Sequence, residues 1–220
     1  MTESEVKEKL SHLLSQEYLD YSAILSLSSE LIKFDKDNVR FSVDADVIDR
    51  FGSELVANQE TAVSELIKNA YDADATKVTI TFNDLDSPNR NIVIEDNGCG
   101  MSSSIIQNVW LTIGTDYKKK QAKVSKKYHR TSLGNKGVGR LAVHRLADEI
   151  LLESQAEGDL FGSSLSINWK SLIQSEEFIE DLYVEVNEGV LNTFIEGHGT
   201  RITLTGHKTK KWTKAILKEL

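Results

Sequence analysis

ELIKNAYDAD, from Glu65 to Asp74, carries two patterns at once. Glu65, Asn69 and Asp72 stand at i, i+4 and i+7, which at 3.6 residues per turn lines them up on one stripe of a helix. Ala62, Val63, Leu66, Ile67 and Ala70 recur at helical spacing on the other side, so this helix has a core face and a narrow acid–amide face. An outer face serving only solubility mixes Lys and Glu pairs. A carboxylate, an amide and a second carboxylate in line are oxygen donors that can hold a hard cation or orient a water. A solvated polar stripe is the plain alternative, and features downstream decide between them.

The chain has 220 residues, 40% hydrophobic and 27% charged, enough for one sizeable core in an ordinary globular protein. A formal net charge of -8 argues against general binding to nucleic acid or to a membrane surface, while leaving local basic patches open. The single cysteine, Cys99, excludes an internal disulfide framework and fits a reducing compartment. MTESEVKEKL lacks the basic and apolar regions of a secretory signal, and no apolar run approaches the roughly 18 residues of a membrane span. The expectation is a soluble, cytoplasmic protein with no membrane partner.

Outward from the central stretch, Glu3 to Phe34 shows helical periodicity broken by serines, which predicts two helices. They form either an arm for a partner or a pair packed on their own domain. FSVDADVI (Phe41 to Ile48) starts as a short strand or extended entry, and the organising helix is predicted from Ser53 to Tyr71. KVTITF (Lys77 to Phe82) alternates with period two, and NIVIE (Asn91 to Glu95) is its partner strand across a Pro88-containing loop. A short helix follows Ser102 or Ser103. Leu111 to Leu133 has no sustained period, carries seven Lys or Arg between Lys118 and Arg130, and reads as a long loop. A helix from Arg140 to Ala147 precedes strands at Glu149–Ser154, Ser163–Trp169, Leu182–Val186 and Thr200–Thr205, with a helix over Ser171–Asp181 between them. The fold class is α+β, a two-layer α/β sandwich with a mixed, mostly antiparallel sheet and helices on one face.

Two glycine-rich turns carry further chemistry. DNGCGM (Asp96 to Met101) puts a carboxylate at a strand end, beside glycines that let a flat ring approach the backbone. Such an aspartate accepts a hydrogen bond from an exocyclic amine, although Asp-Asn-Gly is also good turn chemistry anywhere. GNKGVG (Gly134 to Gly139) runs into a helix, and its backbone amides, the helix dipole and Lys136 suit phosphate. GVGRLA has the spelling of a dinucleotide fingerprint but follows a lysine-rich loop instead of a strand, and no Ser or Thr follows Lys136 as a P-loop requires. The five histidines (His12, His129, His144, His198, His207) show no metal spacing, and Cys99 reads as a small packing residue.

Together these features resemble the ATP-binding domain shared by DNA gyrase B subunits, ninety-kilodalton heat-shock chaperones, histidine kinases and MutL proteins, called GHKL, whose sandwich is the Bergerat fold. ELIKNAYDADA looks like the N box, DNGCGM the first glycine box, GNKGVG the second and GTRITL the third, in the family's order from Phe51 to Thr205. The resemblance implies ATP, ADP and Mg2+ as ligands. It places Glu65 as general base, Asn69 as magnesium ligand, Asp96 as the reader of the adenine amine and Thr200 as a second contact to the base. Asp72, Ala73, Gly98, Gly100, Met101 and Thr115 fall on the same pocket. Gly134, Lys136, Gly137, Val138 and Gly139 fall on the phosphate loop, and residues 111–136 on the ATP lid. Histidine kinases usually carry Asn or His at the Glu65 position, so the carboxylate points to hydrolysis and to the MutL, chaperone and MORC side.

By the same resemblance, residues 1–40 form a helical extension and 41–207 the ATP-binding domain. Residues 208–220 begin a helix leading to a transducer-type domain. That missing domain would supply the cation that reaches the γ-phosphate, so the chain is expected to be a fragment with weak or conditional ATPase activity. ATP-dependent homodimerisation, and a protein or nucleic-acid client, are expected at family level only. The rivals are a non-hydrolysing nucleotide-sensing module, a protein-histidine kinase, and a lysine-rich lid that touches nucleic acid, with Tyr117 and Tyr128 stacking on bases.

Overall fold

The computed structural model describes residues 1–37, 42–54, 58–84, 87, 90–113, 124–133, 142–175, 178–208 and 212. Two N-terminal helices, α1 (Glu3–Leu14) and α2 (Tyr21–Ile32), pack on each other, as the broken periodicity predicts. α1 opens with a capping box in which Thr2 and Glu5 satisfy each other's backbone amides. Val6 is its one buried residue, and Ser29 of α2 donates a 3.3 Å hydrogen bond to Asp181.

The predicted helix from Ser53 to Tyr71 is two helices, α3 (Val47–Glu54) and α4 (Gln59–Asp72). Asn58 separates them. It is in extended conformation, with φ -151°, and its side chain accepts from Thr61 N at 2.7 Å, so it caps α4 instead of continuing α3. The extended entry before α3 is correspondingly short. Asp44 bridges Phe178, and its carboxylate and carbonyl then accept from Asp46 and Val47 to start the helix.

Six strands make one sheet: β1 (Val78–Asn83), β2 (Asn91–Asp96), β3 (Ala147–Gln155), β4 (Gly162–Asn168), β5 (Val186–Gly189) and β6 (Gly199–His207). Their order is β1-β2-β6-β3-β4-β5, and every pairing among the described residues is antiparallel. The register sets two apolar rows across one face. Ile80, Ile94, Ile202, Leu152 and Leu165 form the first; Phe82, Ile92, Leu204, Ile150 and Ile167 form the second. α3, α4 and two shorter helices, α5 (Ala142–Leu146) and α6 (Trp169–Ser175), cover that face with Ile48, Ala62, Val63, Leu66, Val143, Leu146 and Trp169 in one core. Each large aliphatic side chain buried there contributes about 1.5–3 kcal/mol. The opposite face shows the alternation expected of a sheet covered on one side, with Leu151 and Ser166 exposed. This is the expected two-layer α+β sandwich.

Several boundaries differ from expectation. Ile67 lies on the exposed side of α4, leaving Ala62, Val63, Leu66 and Ala70 as its core face. β3 starts at Ala147, so α5 is shorter than the sequence suggests. The helix expected to reach Asp181 is α6 followed by a separate 3-10 turn at Ile179–Asp181. The strand expected at Leu182 begins at Val186, because Leu182 and Val184 pack on the core instead of pairing with β4. The short helix after Ser102 is one α-turn, Ser103–Ile105, which widens into a π-turn over Ile106–Trp110. The expected C-terminal helix lies outside the described residues except Lys208 and Trp212; Trp212 is buried with its ring 5.1 Å from Phe82.

His144 has a structural place. Its ring is buried edge-on to Trp169 at 5.2 Å, and burial beside the Lys208 ammonium pushes its pKa down to about 4. A Cβ on Gly52 would stand 2.2 Å from its Nδ1, so glycine there lets α3 close on the ring. No cluster of His, Cys, Asp or Glu among the described residues is arranged to hold a metal, and no described helix is long and apolar enough to cross a membrane.

Candidate functional site

Two residues beyond the first apolar row, the buried face of the sheet becomes polar. Asp96 of β2 pairs with Thr200 of β6, Thr200 with Ser154 of β3, and Ser154 with Ser163 of β4. Three strands thus continue their inward alternation (Ile92-Ile94-Asp96, Leu204-Ile202-Thr200, Ile150-Leu152-Ser154) with a hydrogen-bonding side chain where another aliphatic would extend the core; Ser154 is buried, and Asp96 and Thr200 are half-buried.

Burial pushes the Asp96 carboxyl up to about 6 from the usual 3.8. Amide N–H bonds from Gly98 and Thr200 act against that rise, as does His198, while the neighbouring Glu95 adds to it. The Gly98 bond is 2.8 Å long. Asp96 is therefore an acceptor above that value, held in place by two amides with lone pairs to spare.

The turn after Asp96 is clamped from several sides. Asn97 accepts from Thr76 N and Lys77 N at 2.9 and 2.8 Å, Cys99 N donates to Ala73 O at 2.7 Å, and His198 Nδ1 sits 2.7 Å from Gly98 O. Gly98 and Gly100 are required by contact. A Cβ on Gly98 would lie 2.7 Å from Ala73 O, and one on Gly100, which has φ +62°, would lie 1.9 Å from Gln155 O. Met101 N donates to the Ser154 hydroxyl at 2.9 Å. Cys99 is free and exposed, not the packing residue its neighbours suggest; its backbone makes the contacts.

The turn thus rests on the C-terminal end of α4, so Ala73, Asp96, Gly98, Gly100, Met101 and Thr200 are brought together. Asn69 and Glu65 lie one and two turns back along α4; Glu65 is about 12 Å from Ala73 at 1.5 Å per residue. The Glu65 carboxylate is 2.7 Å from the Lys68 ammonium, and the pair is partly exposed. Thr115, Gly134, Lys136, Gly137, Val138 and Gly139 lie outside the described residues.

α4 stops in a way the sequence did not disclose. Ala75 N bonds to Ala70 O and Asp74 N to Tyr71 O, closing the helix with Asp74 in the left-handed region at φ 62°. Glycine usually takes that position, and a side chain there costs about 1–2 kcal/mol. The Asp74 carboxylate offsets this cost. It is 8% exposed and accepts from Ser125 Oγ, from Lys127 N at 2.8 Å and from Tyr128 N at 3.3 Å. Burial would raise its pKa, but those bonds, with the Arg130 guanidinium, hold it below the ordinary value.

Arg130 in turn donates to Ala75 O at 2.6 Å and stacks over Tyr71 and Tyr128. Asp72 accepts from Ser132 Oγ at 3.0 Å and Leu133 N at 2.8 Å. Residues 124–133, expected as part of an unstructured basic loop, are therefore fastened to the end of α4 just before the second glycine motif. Asp74→Ala should free this segment. Three donors lose their acceptor, so the domain should lose roughly 2–4 kcal/mol, with faster amide exchange over 124–133. Unchanged exchange there would contradict the anchoring role.

Comparison with known proteins gives the family. The family described as histidine kinase-, DNA gyrase B- and HSP90-like ATPase matches residues 57–200. Over 84 residues, 38% of this chain, the sequence is 37% identical to a putative type II restriction enzyme, HgiDII, of Herpetosiphon aurantiacus. Over 123 residues, 56% of the chain, it is 29% identical to the DNA mismatch repair protein MutL of Chlamydia caviae, and equally to that of Chlamydia felis. The matched stretches are 13% and 20% of those relatives' own lengths, so the chain corresponds to a small part of each. With its two-layer sandwich, and with the Asp96 turn and Thr200 set at the end of α4, the chain belongs to the histidine kinase-, DNA gyrase B- and HSP90-like ATPase family, on the MutL side.

Proposed function

We propose that this chain binds ATP with Mg2+ at the end of α4 and hydrolyses it slowly, driving a conformational or dimerisation switch in a larger protein. The observation that carries the reading is the pairing of Asp96 with Thr200 on the buried face, against a glycine turn seated on Ala73. Adenine lies on that turn, its amine donating to Asp96. The phosphates extend back along α4 towards Asn69 and Glu65, with the second glycine motif as their further ligand. Glu65 takes a proton from water as its oxygen bonds to the γ-phosphorus and the bond to the ADP oxygen breaks.

Mg2+ fits the donor set. Mg2+ keeps several waters and takes substrate phosphates as ligands, so on the protein side the Asn69 amide oxygen would hold it beside the phosphates. When bound, the ion supplies neutralisation of phosphate charge. Homodimerisation, a transducer-type domain and a protein or nucleic-acid client belong to the same proposal. The mismatch-repair and restriction-enzyme names of the relatives favour a DNA-linked process.

A second reading rests on Lys68. Its ammonium occupies Glu65, and if it stays there with nucleotide bound, the chain is a non-hydrolysing sensor. ATP binding and phosphate release, measured with Mg2+ on this chain and on a longer form, separate the two. Release supports the ATPase; binding without release in both forms supports the sensor; absence of binding overturns both.

A further inference from the structure

Ser154 is wholly buried, and its Oγ makes three contacts of 2.9 Å each, with Met101 N, Gly199 O and Thr200 Oγ1. The hydroxyl has one proton and two lone pairs. Met101 N–H can only donate, and the Gly199 carbonyl can only accept. Ser154 therefore gives its proton to Gly199 O, and the third contact is attractive only when Thr200 donates. Thr200 then has no proton left, and its oxygen offers lone pairs alone. Its register partner Asp96, when ionised, is also an acceptor only.

We propose that Ser154 is a positioning residue that locks the Thr200 hydroxyl as an acceptor, so that Asp96 and Thr200 together select a 6-amino purine over a 6-oxo purine. This rests on the ATP-binding reading above. A 6-amino group offers protons to the acceptors; a 6-oxo group presents a third acceptor and finds no donor. One bridging water preserves the logic, because a water that donates to both Asp96 and Thr200 can only accept from the base. Selection is thereby set by a side chain that never touches the nucleotide.

The test compares equilibrium affinities for ATP and ITP, which differ in the amino or oxo group at position 6 and in the hydrogen that ITP carries on the adjacent N1. Wild type should prefer ATP. In Ser154→Ala the Thr200 proton is released to donate, and the ATP/ITP ratio should fall roughly 3–10-fold. Ser154→Cys, closer in shape and a weaker hydrogen-bonding partner, should move the ratio the same way and covers the case in which the alanine variant does not fold. In a Thr200→Val background the Ser154 substitution should leave the ratio where Thr200→Val alone puts it.

Equal loss of both nucleotides, with an unchanged ratio, would show a purely structural role and overturn the inference. So would a Ser154 effect that persists without Thr200. A wild-type chain that binds neither nucleotide instead removes the ATP reading itself, and this inference with it.

Discussion

Glu65→Gln should bind ATP within a few-fold of wild type and release phosphate at least about 100-fold more slowly, the scale that a general base contributes. The amide keeps the size and polarity of the side chain but has no basic oxygen to take a proton from water. It also removes the charge that holds Lys68 at 2.7 Å. Phosphate release over time and nucleotide affinity, measured on the same preparations, check both halves. Undiminished release moves the base elsewhere. Loss of binding together with turnover would mean that Glu65 holds the ligand instead of activating water. The pair with Lys68 is partly exposed and worth little to folding, so stability should be nearly unchanged.

Asp96→Asn should lower ATP affinity about 10- to 100-fold, the value of a hydrogen bond to a charged acceptor. It should also alter how stability responds to pH. The Asp96 carboxyl titrates near 6 in the fold and 3.8 is its ordinary value, so the folded state holds this proton more tightly than the unfolded chain. Its contribution is favourable below the ordinary value and is lost as pH rises through about 6. Asparagine does not titrate. Between pH 4 and pH 7 the stability of the ligand-free variant should therefore gain on wild type by roughly 1–3 kcal/mol. Binding runs the other way, since wild-type affinity for ATP should fall as pH drops through about 6. The variant serves as the control for titration of the phosphates. Parallel stability curves for the two proteins would contradict the buried-carboxylate account.

Much of this was legible because period and chemistry coincide. The body of α4 and strands β1, β2, β3, β4 and β6 follow from spacing, Asp96 follows from the turn at its strand end, and Thr200 follows from the likeness of GTRITL to the third glycine box. Ser154 was missed although the signal was available. In EILLES it sits in phase with Ile150 and Leu152, so a polar residue was due on the buried face, as Asp96 is after Ile92 and Ile94. Asp74 was not readable in the same way. DADA is a good polar turn, but nothing local shows that its second carboxylate is buried against Ser125, Lys127 and Tyr128, 51 to 54 positions away. The fastening of residues 124–133 is a tertiary fact overriding a basic, aperiodic stretch that reads as solvated. β5 was misplaced for a related reason. LYVEV alternates like a strand, but Leu182 and Val184 find the core before any strand partner.

Asp72 also gained a definite place. The sequence put it on the stripe with Glu65 and Asn69, and its carboxylate holds Ser132 and Leu133 at the threshold of the second glycine motif. With Asp74 and Arg130 it ties the stretch before the phosphate motif to the helix proposed to carry the catalytic residues.

ATP bound at the end of α4, between the Asp96 turn and Thr200, should leave a local footprint in the backbone. Amide hydrogen exchange with and without ATP and Mg2+ tests it most directly. Exchange should slow at residues 97–101, at 199–200 and in the second half of α4, with ADP reproducing the base-side protection and Asp96→Asn removing it. Exchange left unchanged by ATP in those three segments, or protection confined to other parts of the sheet, would contradict it.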